Sequence, residues 1–171
     1  MDKLNPKPTK ILLTGANGFL GQKCTDLIVQ QTNFELCCTS QSAQKNPNKK
    51  GYSFYQLDLL DQLELNKLIT NFKPTHIIHC AALTSVELCE DNPTLCDQLN
   101  VQLPARLAAK AKEKNIHLTF LSTDFVFDGQ AGPYEETATC NPCNAYGVSK
   151  LNAEKAILAT ECRAAILRTI L

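Results

Sequence analysis

The run Asn144-Ala145-Tyr146-Gly147-Val148-Ser149-Lys150 holds the two side chains with the clearest chemical use. Four residues apart on a helix, a tyrosine and a lysine project from one face, one turn above the other. A phenol beside a fixed ammonium can give and take a proton near neutral pH, because the cation favours the phenolate. Far upstream, Thr14-Gly15-Ala16-Asn17-Gly18-Phe19-Leu20-Gly21 is a glycine-rich turn. Placed between a strand and a helix, such a turn offers backbone N–H groups to a pyrophosphate. A proton donor combined with a dinucleotide cradle implies a nicotinamide-dependent oxidoreductase.

The spacing Gly15-x-x-Gly18-x-x-Gly21 differs by one residue from the ordinary Gly-x-Gly-x-x-Gly pattern. Its physics is the same: Gly15 permits a tight turn, Gly18 lets backbone approach phosphate, and Gly21 lets the helix pack closely on the sheet. The segment Thr39-Ser40-Gln41-Ser42-Ala43-Gln44-Lys45, after the second strand, has no acid to bond a ribose 2′-hydroxyl. Hydroxyls, an amide and Lys45 there favour NADP over NAD, although Lys45, Lys49 and Lys50 also suit a plain solvated loop. Asp58 could accept the adenine amino proton or cap the turn that follows it. Ala81 and Ala82 end the fourth strand with side chains small enough to leave room for a ribose. Ser122-Thr123-Asp124 closes the fifth strand, where a hydroxyl could hold a substrate carbonyl oxygen within reach of Tyr146.

These residues need a scaffold, and the chain supplies alternating elements. Lys10–Thr14, Phe34–Thr39, Tyr52–Leu57, Thr75–Ala82, Ile116–Ser122 and the start of 164–171 read as strands. Helical spacing runs from Phe19 to Gln31 through Leu20, Leu27 and Ile28. A second helix opens at Asp61 with Glu64 in a capping-box-like pair and extends to Phe72, burying Leu65, Leu68 and Ile69. Leu95, Leu99, Leu103, Leu107 and Ala111 line a helical region from Pro93 to Lys114, in which Pro104 should cause a kink or break. A last helix spans Ala145 to about Glu161. Strands alternating with helices predict an α/β fold: a doubly wound parallel sheet of Rossmann type, with strand order 3-2-1-4-5-6 and a crevice at the carboxyl ends of the strands.

Bulk composition narrows the partners. The 171 residues carry 17 Lys+Arg and 17 Asp+Glu, so no net field draws nucleic acid or anionic lipid. No stretch approaches the roughly 20 apolar residues of a membrane span, and the polar start Met1–Pro8 lacks an apolar signal core, which makes a cytoplasmic protein the expectation. Nine cysteines are an odd number at irregular spacings. Cys37 and Cys38 would face opposite sides of a strand, and Cys24, Cys80, Cys89, Cys96 and Cys162 sit in apolar or helical patterns. Cys140-Asn141-Pro142-Cys143 has no second pair to complete a metal site and lies in a Pro-containing loop, which reads as a reduced loop without redox role. His76 and His79 alternate with isoleucines and lack a third ligand, so no metal is expected.

In this order, Thr14–Gly21, His79-Cys80-Ala81-Ala82, Ser122–Gly129 and Tyr146-Gly147-Val148-Ser149-Lys150 resemble the extended short-chain dehydrogenase/reductase family. Within it, Ser122–Gly129 followed by Gly132-Pro133-Tyr134-Glu135-Glu136 is most similar to the dTDP-4-dehydrorhamnose reductase branch. The resemblance implies that Tyr146 protonates the reduced oxygen, that Lys150 lowers its pKa and binds the nicotinamide ribose, and that Thr123 orients the carbonyl. It implies cofactor contacts at Gly15, Asn17, Gly18, Phe19, Leu20, Gly21, Ser40, Asp58, Leu59, Ala81 and Ala82, besides Tyr146 and Lys150. The reaction implied is NADP(H)-dependent reduction of the 4-keto group of a nucleotide-linked deoxysugar. Family members continue into a C-terminal substrate-binding lobe, so residues 1–171 are expected to be the NAD(P)-binding domain alone, with substrate capture lost or weakened. Two further functions stay open: an NAD-dependent sugar-nucleotide epimerase, and a non-catalytic NADP-binding regulatory subunit like that of methionine adenosyltransferase. A homodimer through the Ala153 and Ala156 face of the last helix is a further expectation.

Overall fold

The computed structural model describes residues 8–170, so all of the polar start except Pro8 lies outside it, as does Leu171. Six parallel strands form one sheet in the order β3-β2-β1-β4-β5-β6. They are β1 (Lys10–Thr14), β2 (Glu35–Ser40), β3 (Ser53–Gln56), β4 (His76–His79), β5 (His117–Thr123) and β6 (Ala164–Thr169). The helices are α1 (Phe19–Gln31), α2 (Gln62–Phe72), α3 (Val86–Asp91), α4 (Pro93–Asp97), α5 (Leu103–Lys114) and α6 (Ala145–Ala159). The expected fold class and strand order are those observed.

Continuous apolar runs place the strands in the interior because helices cover both faces. Leu12, Ile77, Leu118 and Phe120 face one core with Leu65, Leu68, Leu107 and Ile157. Ile11, Leu13, Ala16, Leu36 and Cys38 face the other, with Cys24, Ile28 and Cys80 packed against them. Cys37 belongs to the first core and Cys38 to the second, as alternation along a strand requires.

One helix differs from the pattern, and another breaks where Pro104 was expected to break it. In α1 the buried residues are Gly21 and Thr25, while Leu27 is exposed. Gly21 sets this rotation: a Cβ there would lie 2.2 Å from the Gly15 carbonyl oxygen, so the helix meets the turn's own backbone as well as the sheet, with Thr25 Oγ1 3.4 Å from Cys38 Sγ of β2. The predicted helix over 93–114 is interrupted before Pro104, where Gln98–Gln102 forms a π-helical turn and the Leu103 N–H reaches the Gln98 carbonyl five residues back. Proline has no N–H for a normal helical bond, and its ring crowds the carbonyl four residues earlier; widening the turn relieves both. The sequence pattern did not mark α3, a short helix capped by the Ser85 hydroxyl, which accepts from Leu88 N at 3.1 Å.

Register sets the height of each strand end. Thr14 pairs with Thr39 and His79, and His79 with Phe120. β5 therefore runs three residues beyond the ends of β1 and β4, carrying Thr123 past the sheet edge.

Candidate active site

At the carboxyl edge, where the strand order reverses between β1 and β4, the glycine turn is held from two sides. Gly15 has φ of +71°, and a Cβ on it would come within 2.6 Å of Ala81 N, so only glycine fits. Ala16 N donates to the Thr39 carbonyl at 3.1 Å and Gly18 N to the Gly15 carbonyl at 3.0 Å. Gly18 then opens α1 with no side chain capping the first turn, whereas Asp61, Asn92 and Asn144 cap α2, α4 and α6. Uncapped N–H groups at the positive end of a 13-residue helix suit a pyrophosphate, so a dinucleotide fits this cradle. Phe19 is exposed beside it, Leu20 half-buried.

The Asn17 side chain binds the loop that follows β2. Its amide donates to the Ser42 carbonyl, the Ser42 hydroxyl and the Ala43 carbonyl at 2.9–3.1 Å, and its Oδ1 accepts from Lys45 N at 2.9 Å. It clamps the loop after β2 onto the glycine turn. The loop is not merely solvated: Asn46 is buried and donates to Asp26 of α1 at 2.9 Å. Ser40 ends β2 half-buried, and its carbonyl accepts from Leu57 N at 2.9 Å. Of the two readings of Asp58, the structure shows the cap: Oδ1 accepts from Leu60 N at 2.9 Å and Oδ2 from Gln41 Nε2 at 3.3 Å. The Leu59 side chain is part of the core, which leaves only its backbone to face a ligand.

Across the edge, α6 begins at Asn144, whose Oδ1 accepts from Gly147 N at 2.7 Å. Gly147 is a glycine because a Cβ would strike the Phe125 carbonyl oxygen at 2.3 Å. That close approach brings Tyr146 against Phe125, ring edge to face, with centroids 5.9 Å apart. Burial raises the Tyr146 pKa first, and the nearby Thr123 hydroxyl opposes the rise. The expectation that Lys150 lowers this phenol is corrected. The Lys150 ammonium instead lies 4.1 Å from the Phe120 ring centre, and Tyr146 is held above its ordinary value. Burial brings Lys150 itself down to about 8, with Glu154 opposing. Phe120 also stacks on His79, whose burial lowers its pKa to about 3 and keeps it neutral.

The pattern had not singled out two residues that hold α6 in place. Asn100, in the π-helical turn and fully buried, accepts from Leu83 N at 2.8 Å and donates to the Leu83 carbonyl at 2.9 Å and to Ser149 Oγ at 3.1 Å. Ser149 in turn donates to the Tyr146 carbonyl at 2.7 Å. Glu154, one turn beyond Lys150, accepts from Ser122 Oγ at 2.5 Å and from Arg168 Nε and Nη2 at 3.0 and 2.7 Å. A carboxylate in the same i, i+4, i+8 stripe as Tyr146 and Lys150 was the available signal, since a charge on a buried face demands a partner. Asn100→Ala is expected to destabilise the chain by about 1–3 kcal/mol, leaving both Leu83 backbone groups unpaired, as thermal denaturation would show.

Ala153, expected to meet a second subunit, is wholly buried in the core of its own chain, so it offers no surface. Cys140 and Cys143 are free thiols bonded to nearby loop carbonyls. Among the described residues no group of three His, Cys, Asp or Glu is placed to hold a metal, and no helix is long and apolar enough to cross a membrane.

The model of the RmlD substrate binding domain matches residues 9–171. The chain belongs to this family. Methionine adenosyltransferase 2 subunit beta of Bos taurus is 35% identical over 167 residues, which are 98% of this chain and 48% of that protein. Among solved structures, a dTDP-4-dehydrorhamnose reductase of Clostridium acetobutylicum is 33% identical with a TM-score of 0.76, matching 95% of this chain and 53% of that one. The dTDP-4-dehydrorhamnose reductase of Bacillus anthracis in complex with NADP is 26% identical with a TM-score of 0.74, matching 96% and 54%. The chain thus spans about half the length of the curated relatives it matches. Membership in the RmlD family accords with the short-chain dehydrogenase/reductase resemblance, and the order of the sheet is the one such relatives require.

Proposed function

We propose that this chain is the NADP(H)-binding part of a reductase acting on the 4-keto group of a nucleotide-linked deoxysugar, resembling dTDP-4-dehydrorhamnose reductase. The observation that carries the reading is the gathering of Thr123, Tyr146 and Lys150 at the sheet edge that also holds the uncapped glycine turn. Asp124, Phe125 and Asn144, sequence neighbours of Thr123 and Tyr146, line one end of a groove of about 1150 Å³ that Thr123, Tyr146 and Lys150 themselves do not border. Support for NADP comes from the Bacillus anthracis complex and from the acid-free loop that Asn17 binds through Lys45 N.

Bound there, NADPH supplies the hydride. The Thr123 hydroxyl holds the carbonyl oxygen and Tyr146 donates its proton to it; a raised phenol pKa keeps that proton in place until the alkoxide develops. The Lys150 ammonium, now over the Phe120 ring, would hold the ribose hydroxyls of the bound cofactor. Lys150 is charged below about pH 8, so NADPH affinity should fall by about tenfold as pH rises through that value. Lys150→Met should remove this dependence, as fluorescence titration of NADPH would register.

A second reading has its own support: the identity to methionine adenosyltransferase 2 subunit beta makes a cofactor-binding regulatory subunit the main competitor. NADPH absorbance followed with dTDP-4-dehydrorhamnose separates the two. Consumption requiring both protein and sugar nucleotide is expected where this chain is joined to a substrate-binding lobe, and much weaker consumption from residues 1–171 alone. Tight NADPH binding without consumption by the full reading frame would favour the regulatory role.

A further inference from the structure

We infer that Cys24 and Cys80 form an oxidisable thiol pair, a site where peroxide closes a reversible disulfide between α1 and the end of β4. The geometry follows from the glycines. Gly21 lets α1 settle onto the Gly15 carbonyl, and Gly15 in turn abuts the backbone of Cys80 and Ala81, at 2.6–2.8 Å from its missing Cβ. Cys24 lies three residues beyond Gly21, on the helix face turned to the same contact. Both side chains pack against the one cluster of Ile11, Leu13, Ala16, Leu36 and Cys38, and the ionisation of each thiol is set first by the other. Neither is fully buried, so a small oxidant can enter.

Electrostatics select the attacking sulfur. The neighbouring Cys80 thiol brings the Cys24 thiol down to about 7, while Cys24 and burial together move Cys80 upward. The neighbours are inert: burial pushes Cys37 to about 11 and Cys38 to about 12. The Cys24 thiolate attacks one oxygen of hydrogen peroxide, the O–O bond breaks, and sulfenic acid and hydroxide form. The Cys80 sulfur then displaces water from that sulfenic acid, forming the S–S bond. Both thiol protons end in water, two electrons pass to the peroxide, and a dithiol reverses the step.

The test needs no turnover and stands apart from the reading of function. The chain is treated with about one equivalent of hydrogen peroxide and digested without reductant, and the peptides are analysed by mass spectrometry. The expected result is a Cys24–Cys80 bridge as the main product, lost on treatment with dithiothreitol. Cys80→Ser should instead trap a sulfenic acid at Cys24 that reacts with dimedone, and Cys24→Ser should slow peroxide consumption at least about tenfold. A Cys140–Cys143 bridge as main product with Cys24 still reduced would overturn the inference. So would unchanged peroxide consumption in Cys24→Ser.

Discussion

Tyr146→Phe is expected to lower turnover by about a hundredfold to ten-thousandfold, the range lost with a single general acid. Only one hydroxyl is removed. The ring keeps its edge-to-face contact with Phe125, and the Asn144 cap and the Ser149 bond to the residue 146 carbonyl are backbone features that phenylalanine retains. NADPH affinity should therefore stay close to the wild-type value, so the loss falls on the chemical step. Stopped-flow or steady-state assays beside NADPH titration would show this split. A protein that only binds the cofactor would show no change in its regulatory output.

The second large effect is expected at Gly15. An alanine must adopt φ of +71° and also place a Cβ 2.6 Å from Ala81 N and 2.8 Å from Ala81 Cα and the Cys80 carbonyl carbon. Backbone cannot move aside as a flexible side chain does. The left-handed conformation and the contact together should cost about 1–3 kcal/mol of stability. The larger loss is in binding. Displacing the turn from β4 moves the uncapped N–H groups of α1 relative to the sheet edge, and NADPH affinity should drop at least about a hundredfold. Gly129→Ala is a suitable comparison: φ is +77°, yet a Cβ there meets nothing within 4 Å. It should share the strain and leave NADPH affinity unchanged. Thermal melts and NADPH titrations of the two variants separate strain from loss of the cradle.

Much of the fold could be read in advance because its signals are local. Apolar runs such as Leu12-Leu13 and Ile77-Ile78 marked buried strands, and the Asp61 cap was visible in its spacing to Glu64. The gathering of Gly15, Thr123 and Tyr146 on one edge followed from strand order, which alternation of elements nearly dictates. What the sequence hid depends on three-dimensional approach. Leu27 had the right spacing for a buried helix face, but Gly21 packing on Gly15 turned α1 so that Thr25 went inward. Asn17 was marked by its place in the glycine turn, but its tie to the Ser42–Lys45 loop was not visible in the sequence. Lys150 was paired with Tyr146 by helical spacing and by the family resemblance, whereas Phe120, from β5, holds its ammonium. Asn100 and Glu154 became legible only once their partners, 17 to 49 residues from Asn100 and 14 to 32 from Glu154, were brought beside them.

The most direct test is a crystal structure of the chain soaked with NADPH. The pyrophosphate should lie on Gly18 and the first turn of α1, with the Lys150 ammonium on the nicotinamide ribose and the Tyr146 hydroxyl facing the nicotinamide ring. A dinucleotide seated away from the glycine turn, or a Tyr146 hydroxyl turned to bulk solvent while the cofactor is bound, would contradict the redox assignment.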